Sequence, residues 1–377
     1  MQINSFLYKF YYQWWKNIDK PIFLLITLLF TIGLFFSLVS TSLIASDKLD
    51  TNSYFFFFKH LIYIFIGIFI IFIFSSINTD QLFKYSIILF FISLISLFLV
   101  PIIGIEVKGS RRWIDLLFLP RFQPIEVLKP FLIIMLATIL CSNKNSNIYF
   151  KYLLSIFLIS IISLLLIMQP DIGQTLLVFF SWTVLIFTSG INIFFLFGFF
   201  LLVLFFLAYL IIYLPKFDYI QGRIFSFFNR ETGSHNFQSD KAIESITSGG
   251  FFGKGIGEGT LKNRVPEAHT DYIISVISEE FGVVAIILIL ILFLVLIYMV
   301  FKKINYEKSE KVKLILIGCV SLILMQATIH VGVNIRLFPT TGMTLPFLSY
   351  GGSSIVSISI LSGIILNLTK RKINNQR

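Results

Sequence analysis

Charge is the scarcest thing in this chain: Lys, Arg, Asp and Glu make up 13% of its 377 residues, about half the share of an ordinary soluble domain. Hydrophobic residues fill 57% of it, and mean hydropathy is +0.90. One water-bounded core has no use for that much apolar surface, so the surrounding solvent is expected to be lipid. Cysteine is nearly absent as well. Cys141 and Cys319 both sit in apolar runs, which excludes a disulfide framework and any cysteine metal spacing. Four scattered histidines exclude a dedicated metal cluster, so no resident metal is expected. A divalent cation (Mg or Mn) held by carboxylates and substrate phosphates stays open. A cleavable signal is lacking too. Residues 1–20 are aromatic and basic (Tyr11, Tyr12, Trp14, Trp15, Lys9, Lys16), and the apolar stretch from Pro21 to about Ala45 is long enough to span a bilayer. The first segment reads as an interfacial anchor leading into a transmembrane helix.

Apolar runs fall near residues 21–45, 54–77, 82–105, 125–142, 150–168, 171–190, 191–213, 270–301, 314–338 and 350–369. Each has about the 20 residues that a hydrocarbon core demands. As one helix the sixth and seventh would reach about 65 Å, twice the core thickness, so Ser189-Gly190-Ile191-Asn192 is taken as a reversal. The expected fold is therefore all-α and polytopic: residues 1–377 as one transmembrane domain of about ten helices, with one long external loop, about 214–268, between helices 7 and 8.

Lysine and arginine set the expected sides. The 302–313 turn carries Lys302, Lys303, Lys308, Lys311 and Lys313, and the tail carries Lys370, Arg371, Lys372 and Arg377. These mark a cytoplasmic side, with both termini on it and the 214–268 loop outside. Against that trend, Lys48, Lys59, Lys108, Arg111, Arg112, Arg121, Lys129 and Arg336 fall in short external loops or at outer helix ends. Headgroup contact explains a single arginine. Four cations within 108–121, with Trp113 among them and Glu126 and Lys129 just behind, point to an anionic external ligand.

Three external stretches carry candidate chemistry. In Lys108-Gly109-Ser110-Arg111-Arg112 and Glu126-Val127-Leu128-Lys129, the spacing of Glu126 and Lys129 puts them on one helical face. A structural ion pair is the plain reading of those two; the neighbouring arginines, whose forks match phosphate oxygens, favour a phosphate site. The glycine-rich run 248–260 matches neither the dinucleotide spacing nor the P-loop, so nucleotide and nucleic acid are set aside. It reads as a flexible loop able to approach a substrate. In Glu267-Ala268-His269-Thr270-Asp271, Thr270 or Asp271 suits an ordinary helix cap, yet Asp271 at the outer surface, facing the cations, suits a proton acceptor. Glu279 and Glu280, deeper in that span, are expected to point inward. The Pro- and Gly-rich stretch 339–354, with Ser349 and Tyr350, reads as re-entrant backbone packed in protein or lining a wet cavity.

At these residues the chain resembles the SEDS family, the RodA/FtsW-type peptidoglycan polymerases, along about its whole length. The motifs are Ser110-Arg111-Arg112-Trp113, Gln123-Pro124 through Glu126 to Lys129, Gln169-Pro170-Asp171 with Gly173, His269-Thr270-Asp271, and Ser349-Tyr350-Gly351-Gly352-Ser353-Ser354. The runs Gly257–Lys262 and Thr341–Pro346 are similar to the cell-division branch, FtsW, more than to the elongation branch. Ile125 departs from the small residue usual there. The resemblance implies glycan polymerisation from lipid II, a disaccharide-peptide on undecaprenyl pyrophosphate, at the outer face of the bacterial cytoplasmic membrane. It also implies a single-pass class B penicillin-binding transpeptidase (FtsI-like) as partner and a place in the septal divisome. On that footing Asp271 is the expected general base. Arg111, Arg112, Lys129 and Lys108 would bind pyrophosphate, Glu126 would position Lys129, and His269, Thr270, Glu279, Glu280, Ser349 and Tyr350 would support the site. The alternatives are an elongation-type polymerase, a flippase or transporter of the same lipid using Glu279, Glu280, His330, Asn334 and Arg336 as a polar path, and a scaffold without chemistry.

Overall fold

The computed structural model describes residues 2–41, 54–107, 110–116, 119–142, 147–213, 218–229, 237–261 and 265–370. Lys48 and Lys108 lie outside the described residues. A short helix, α1 (Gln2–Asn17), precedes α2 (Lys20–Thr41), α3 (Phe55–Ser76) and α4 (Thr79–Ile103). Strands β1 (Ile105–Val107), β2 (Ser110–Leu116) and β3 (Leu119–Phe122) lead into α5 (Pro124–Leu140). Then come α6 (Ile148–Met168), α7 (Ile172–Thr188), α8 (Ile193–Tyr213), α9 (Asp218–Asn229), α10 (Phe237–Gly249), α11 (Ile273–Tyr306), α12 (Glu310–Asn334) and α13 (Gly352–Leu368).

The ten apolar runs coincide with α2 to α8 and α11 to α13. Seven helices are long and apolar enough to cross a membrane by length and composition, and α7 and α13 are shorter apolar helices. Helix α5 has 17 residues and carries Glu126 and Lys129. The chain is thus an all-α polytopic membrane protein with one small exception: around the cations read from sequence as a cluster over 108–121, β1, β2 and β3 form a three-stranded antiparallel sheet in the order β1-β2-β3. The long segment 214–268 is not a plain loop either, since it holds α9 and α10.

Pairings at the lysine-rich end of the bundle set its register. Lys303 bridges to Asp19, which puts the start of α2 beside the lysine-rich turn after α11. Asn367 donates to Phe74 O and Ile77 O at 2.8 and 2.7 Å, fixing the end of α13 to the end of α3. From that end onward α3 lies close on α13, with glycine facing side chain: Gly67 against Ser359 and Gly363 against Phe74. Small residues at such contacts let backbones approach where lipid supplies no hydrophobic drive. Trp14 of α1 donates to Ser75 Oγ at 2.8 Å, holding α1 against the same end of α3.

The non-helical stretch 335–351 turns into the bundle, where residues 345–349 are buried. Phe347, buried, meets the rings of Phe30 and Phe293 at 5.2 and 6.1 Å. Gly33 of α2 touches its backbone so closely that a Cβ there would stand 2.4 Å from Phe347 O. Irregular backbone survives at this depth because protein encloses it on that side. Helix α11 is broken at Gly282 (φ 76°, ψ −179°), a conformation with no room for a side chain. The Gly33→Ala variant is expected to lose roughly 1–3 kcal/mol of stability, since neither backbone can yield freely. Thermal unfolding in detergent checks this, and an unchanged midpoint would contradict the close packing.

Candidate active site

At the end of the bundle away from the lysine-rich turn, a cavity of about 540 Å³ opens. Its wall includes Arg112, Trp113 and Arg121 from the sheet, Glu126 from α5, Asp171 and Gln174 from the start of α7, and Asp271 and Gly342. Strand geometry decides which cations join. Arg112 and Trp113 face this cavity while Arg111 turns to a smaller one beside Glu106, Met168 and Pro170. The register of β1 on β2 shifts here, Ile105 opposing Trp113 and Glu106 opposing Arg111, so the plain alternation of a strand gives way to a bulge at Arg112. Arg111 pairs with Glu106 across 3.6 Å, and both are well exposed. The two arginines that sequence reading grouped together are therefore separated by the strand, and Arg111 does not share the cavity with Asp271. Arg121 lines the cavity and pairs with Asp115 at 2.9 Å.

Arg112 is held from behind. Its Nε donates to Gln169 O at 3.1 Å, its Nη2 donates to Pro170 O, and Asp171 lies 3.8 Å away. Of the five donors of a guanidinium, these contacts leave several for a ligand. Asp171 is buried; it caps α7 by accepting from Gln174 N at 3.3 Å and accepts from Gln123 Nε2 at 2.8 Å. Burial pushes its carboxyl above the ordinary range, with Arg112 opposing.

Glu126 and Lys129 form the ion pair that their spacing suggested, at 2.9 Å and almost wholly buried. Gln174 donates to Glu126 Oε1 at 2.7 Å, and Lys129 reaches Gln326 Oε1 at 3.4 Å. Gln326 in turn donates to Thr344 O at 3.0 Å. Lys129 thus lies beneath the cavity, while only Glu126 of the pair meets its wall.

The segment bearing Asp271 is fixed by its own backbone. The amides of Thr270 and Asp271 donate to Glu267 O at 3.0 and 3.1 Å, closing a tight turn at Glu267 (φ 56°). The helix cap falls on Tyr272, which makes no side-chain cap bond. Ser349 Oγ donates to Thr270 O at 2.7 Å, Asn334 Nδ2 donates to Asp271 O at 3.1 Å, and Tyr350 N donates to His269 O at 3.1 Å. His269 lies 4.7 Å from the Phe56 ring and 5.8 Å from that of Tyr350. Burial pushes the Tyr350 hydroxyl up to about 12, so it stays protonated beside the cavity. His330 bonds Met343 O at 2.7 Å, tying α12 to the loop that supplies Gly342.

Glu279 and Glu280 are buried but do not line the cavity. They clamp the glycine-rich run instead. Leu261 N donates to Glu279 Oε1 at 2.9 Å, Ser245 Oγ donates to Glu279 Oε2 at 3.0 Å, and Gly257 N donates to Glu280 Oε2. A Cβ on Gly259 would stand 2.9 Å from the Glu279 carboxylate carbon. The glycines serve this packing against α11, and none of residues 248–260 lines the cavity. Sequence reading placed Gln123 and Asp171 in motifs without giving them a site role, and it overlooked Gln174 and Gln326. The available signal was weak: an amide or carboxylate at the edge or middle of an apolar span. Among the described residues no three His, Cys, Asp or Glu side chains gather to hold a metal.

A family model described as cell cycle protein, of FtsW/RodA/SpoVE type, matches residues 19–374. The chain is 34% identical over 359 residues to "Probable peptidoglycan glycosyltransferase FtsW" of Wigglesworthia glossinidia brevipalpis, covering 92% of each. It is similar to a solved peptidoglycan synthase complex described as coordinating polymerization and crosslinking (TM-score 0.76, 25% identity, 93% of this chain and 97% of that one). It is also similar to the rod shape determining protein RodA of Thermus thermophilus (TM-score 0.69, 26% identity, 94% and 97%).

Breaking the buried pair on one side strands the other charge. Lys129→Met is expected to cost about 3–5 kcal/mol, whereas Glu126→Gln with Lys129→Met should lie much closer to the parent. Thermal unfolding in detergent separates these, and a double variant less stable than the single would contradict it.

Proposed function

The chain belongs to the FtsW/RodA/SpoVE family of cell cycle proteins, and from that premise we infer that it is a peptidoglycan glycosyltransferase. It polymerises lipid II into glycan strands at the outer face of the bacterial cytoplasmic membrane. All 377 residues serve as one multi-pass unit with ten crossings, α5, α7 and α13 adding to the seven longer helices. Both termini are cytoplasmic and the cavity faces the periplasm, which follows from the lysine-rich turn at the opposite end. The relatives named for FtsW favour septal duty over elongation.

The observation that carries the reading is the shared cavity of Asp271 and Arg112. Outside the cell no nucleotide sugar is available, so the donor must bring its own leaving group, and a lipid pyrophosphate does. Asp271 takes the proton from the acceptor's 4-hydroxyl as that oxygen attacks the donor anomeric carbon. The bond from that carbon to the pyrophosphate oxygen breaks, and the negative charge leaves with the lipid. Arg112, supported by Arg121, meets that charge in a half-enclosed site where a fixed cation counts for more than in water. Glu126 and Lys129 act from beneath, holding α5 in register with α7 and α12. His269, Thr270, Ser349 and Tyr350 hold the turn that presents Asp271. A protein-caged metal does not fit the described residues; a divalent cation would rest on substrate oxygens. A class B penicillin-binding transpeptidase, FtsI-like, is the proposed partner within the divisome, supported by the synthase complex to which the chain is similar.

A flippase would need polar side chains along a path through the bundle. Here His330, Asn334, Glu279 and Glu280 are engaged with loop backbone, and Arg336 is paired with Asp240. That occupancy disfavours translocation.

Purified Asp271→Asn with its transpeptidase is expected to bind lipid II and to lose about 10²–10⁴-fold in polymerisation, on the order of 3–5 kcal/mol. A gel assay of glycan product reads this, and near-parental chain formation would end the assignment of Asp271 as base.

A further inference from the structure

The turn that follows α10 is built onto the break in α11. Gly250 and Gly253 adopt positive φ (57° and 79°), as does Gly282 opposite them. The break frees backbone groups that a continuous helix would pair, and the turn satisfies them. Val283 N donates to Gly250 O at 3.0 Å and Val284 N to Phe251 O at 3.3 Å. In return, Lys254 N donates to Glu279 O at 2.9 Å and Gly255 N to Glu280 O at 3.1 Å. Four backbone bonds therefore fix the height of this turn along α11.

That height can be placed against a bilayer. Helix α11 has 34 residues, about 51 Å at the α-helical rise. A hydrocarbon core of about 30 Å takes about 20 of them. Counted back from Lys302, the far boundary of the core falls at Gly282. Residues 273–281, with both glutamates, then stand outside the hydrocarbon, which accords with their carboxylates bonding loop amides. The turn meets α11 at Val283 and Val284, level with the boundary. Its side chains face away from the bundle: Phe251, Phe252 and Ile256 are 76%, 84% and 65% exposed. Just below them Ile287 and Leu288 of α11 are also exposed, so the apolar surface is continuous with the lipid-facing side of the helix. Two adjacent rings this open are costly in water and favourable at a lipid interface.

We propose that residues 250–256 form a membrane-docking knuckle, with Phe251, Phe252 and Ile256 inserted at the boundary between headgroups and acyl chains. The knuckle pins the loop that leads to Asp271 at a fixed height above the bilayer. Under the function proposed above, on which this consequence rests, that height matches a pyrophosphate borne on a membrane lipid. The docking itself depends only on the helix length and the backbone register.

A nitroxide placed by Phe252→Cys, with Cys141→Ser and Cys319→Ser, tests it in phosphatidylethanolamine–phosphatidylglycerol vesicles containing the full chain. Power saturation compares collision with dissolved oxygen against collision with a water-soluble nickel chelate. The expected result favours oxygen at residue 252 and the chelate at a control label on Glu244→Cys of α10. Chelate-dominated collision at residue 252 would overturn the proposal, as would shielding from both agents, which would mean that protein covers the knuckle. The companion variant Phe251→Ser/Phe252→Ser is expected to raise KM for lipid II in vesicles several-fold while kcat holds. Lipid-like collision at residue 252 in a protein that makes no glycan would leave the docking standing and refute the polymerase reading instead.

Discussion

A charge taken out of water must find a partner, and the buried pair of Lys129 and Glu126 is where this bundle meets that rule most sharply. Neither side chain has space to reach solvent freely, so each fixes the position of the other. Because Glu126 also accepts from Gln174, and Lys129 reaches Gln326, the pair locks α5, α7 and α12 in one register. Gln326 passes the constraint on to Thr344 and so to the loop beside Asp271. The cavity is in effect the solvated edge of this polar network. Ionic groups that would be a liability in hydrocarbon become the means of holding a reactive surface still.

The carboxylates divide their labour by depth. Glu279 and Glu280 are buried and spent on backbone amides of the glycine-rich run. Asp171 is buried and spent on Gln123, on its own helix cap and on Arg112. Asp271 is half-buried and lines the cavity. Its main chain makes the anchoring bond to Asn334, which fixes the turn that brings the residue to the cavity wall. The break at Gly282 completes the arrangement. It ends the apolar span and opens a backbone site on which the loop leading to Asp271 can be fastened.

Much of the bundle was legible because a span is a long, simple signal: each of the ten apolar runs became a helix. The 105–122 sheet was not legible. Its cations drew attention as a cluster, and without knowing that they lie on a strand no reading separates Arg111 from Arg112. Even on a strand, plain alternation would set Arg112 opposite Trp113, which shares its cavity; the register shift between β1 and β2 decides their facing, and no local pattern announces it. The bend in α11 was hidden for a different reason. Phe281-Gly282-Val283 sits in an apolar run, and one glycine there signals nothing until another segment packs on it. The pairing of Glu126 with Lys129 was visible because helical spacing alone brings them together. The contacts with Gln174 and Gln326 join distant segments, and no local pattern encodes them.

The central claim is spatial: Arg112 belongs to the substrate cavity and Arg111 does not. Binding of lipid II to the detergent-solubilised protein, compared between Arg111→Gln and Arg112→Gln, tests it most directly. The account predicts a loss of about tenfold or more, ~1.4 kcal/mol, for the residue 112 variant and near-parental affinity for its neighbour. Equal losses at the two positions, or a loss at 111 alone, would contradict it.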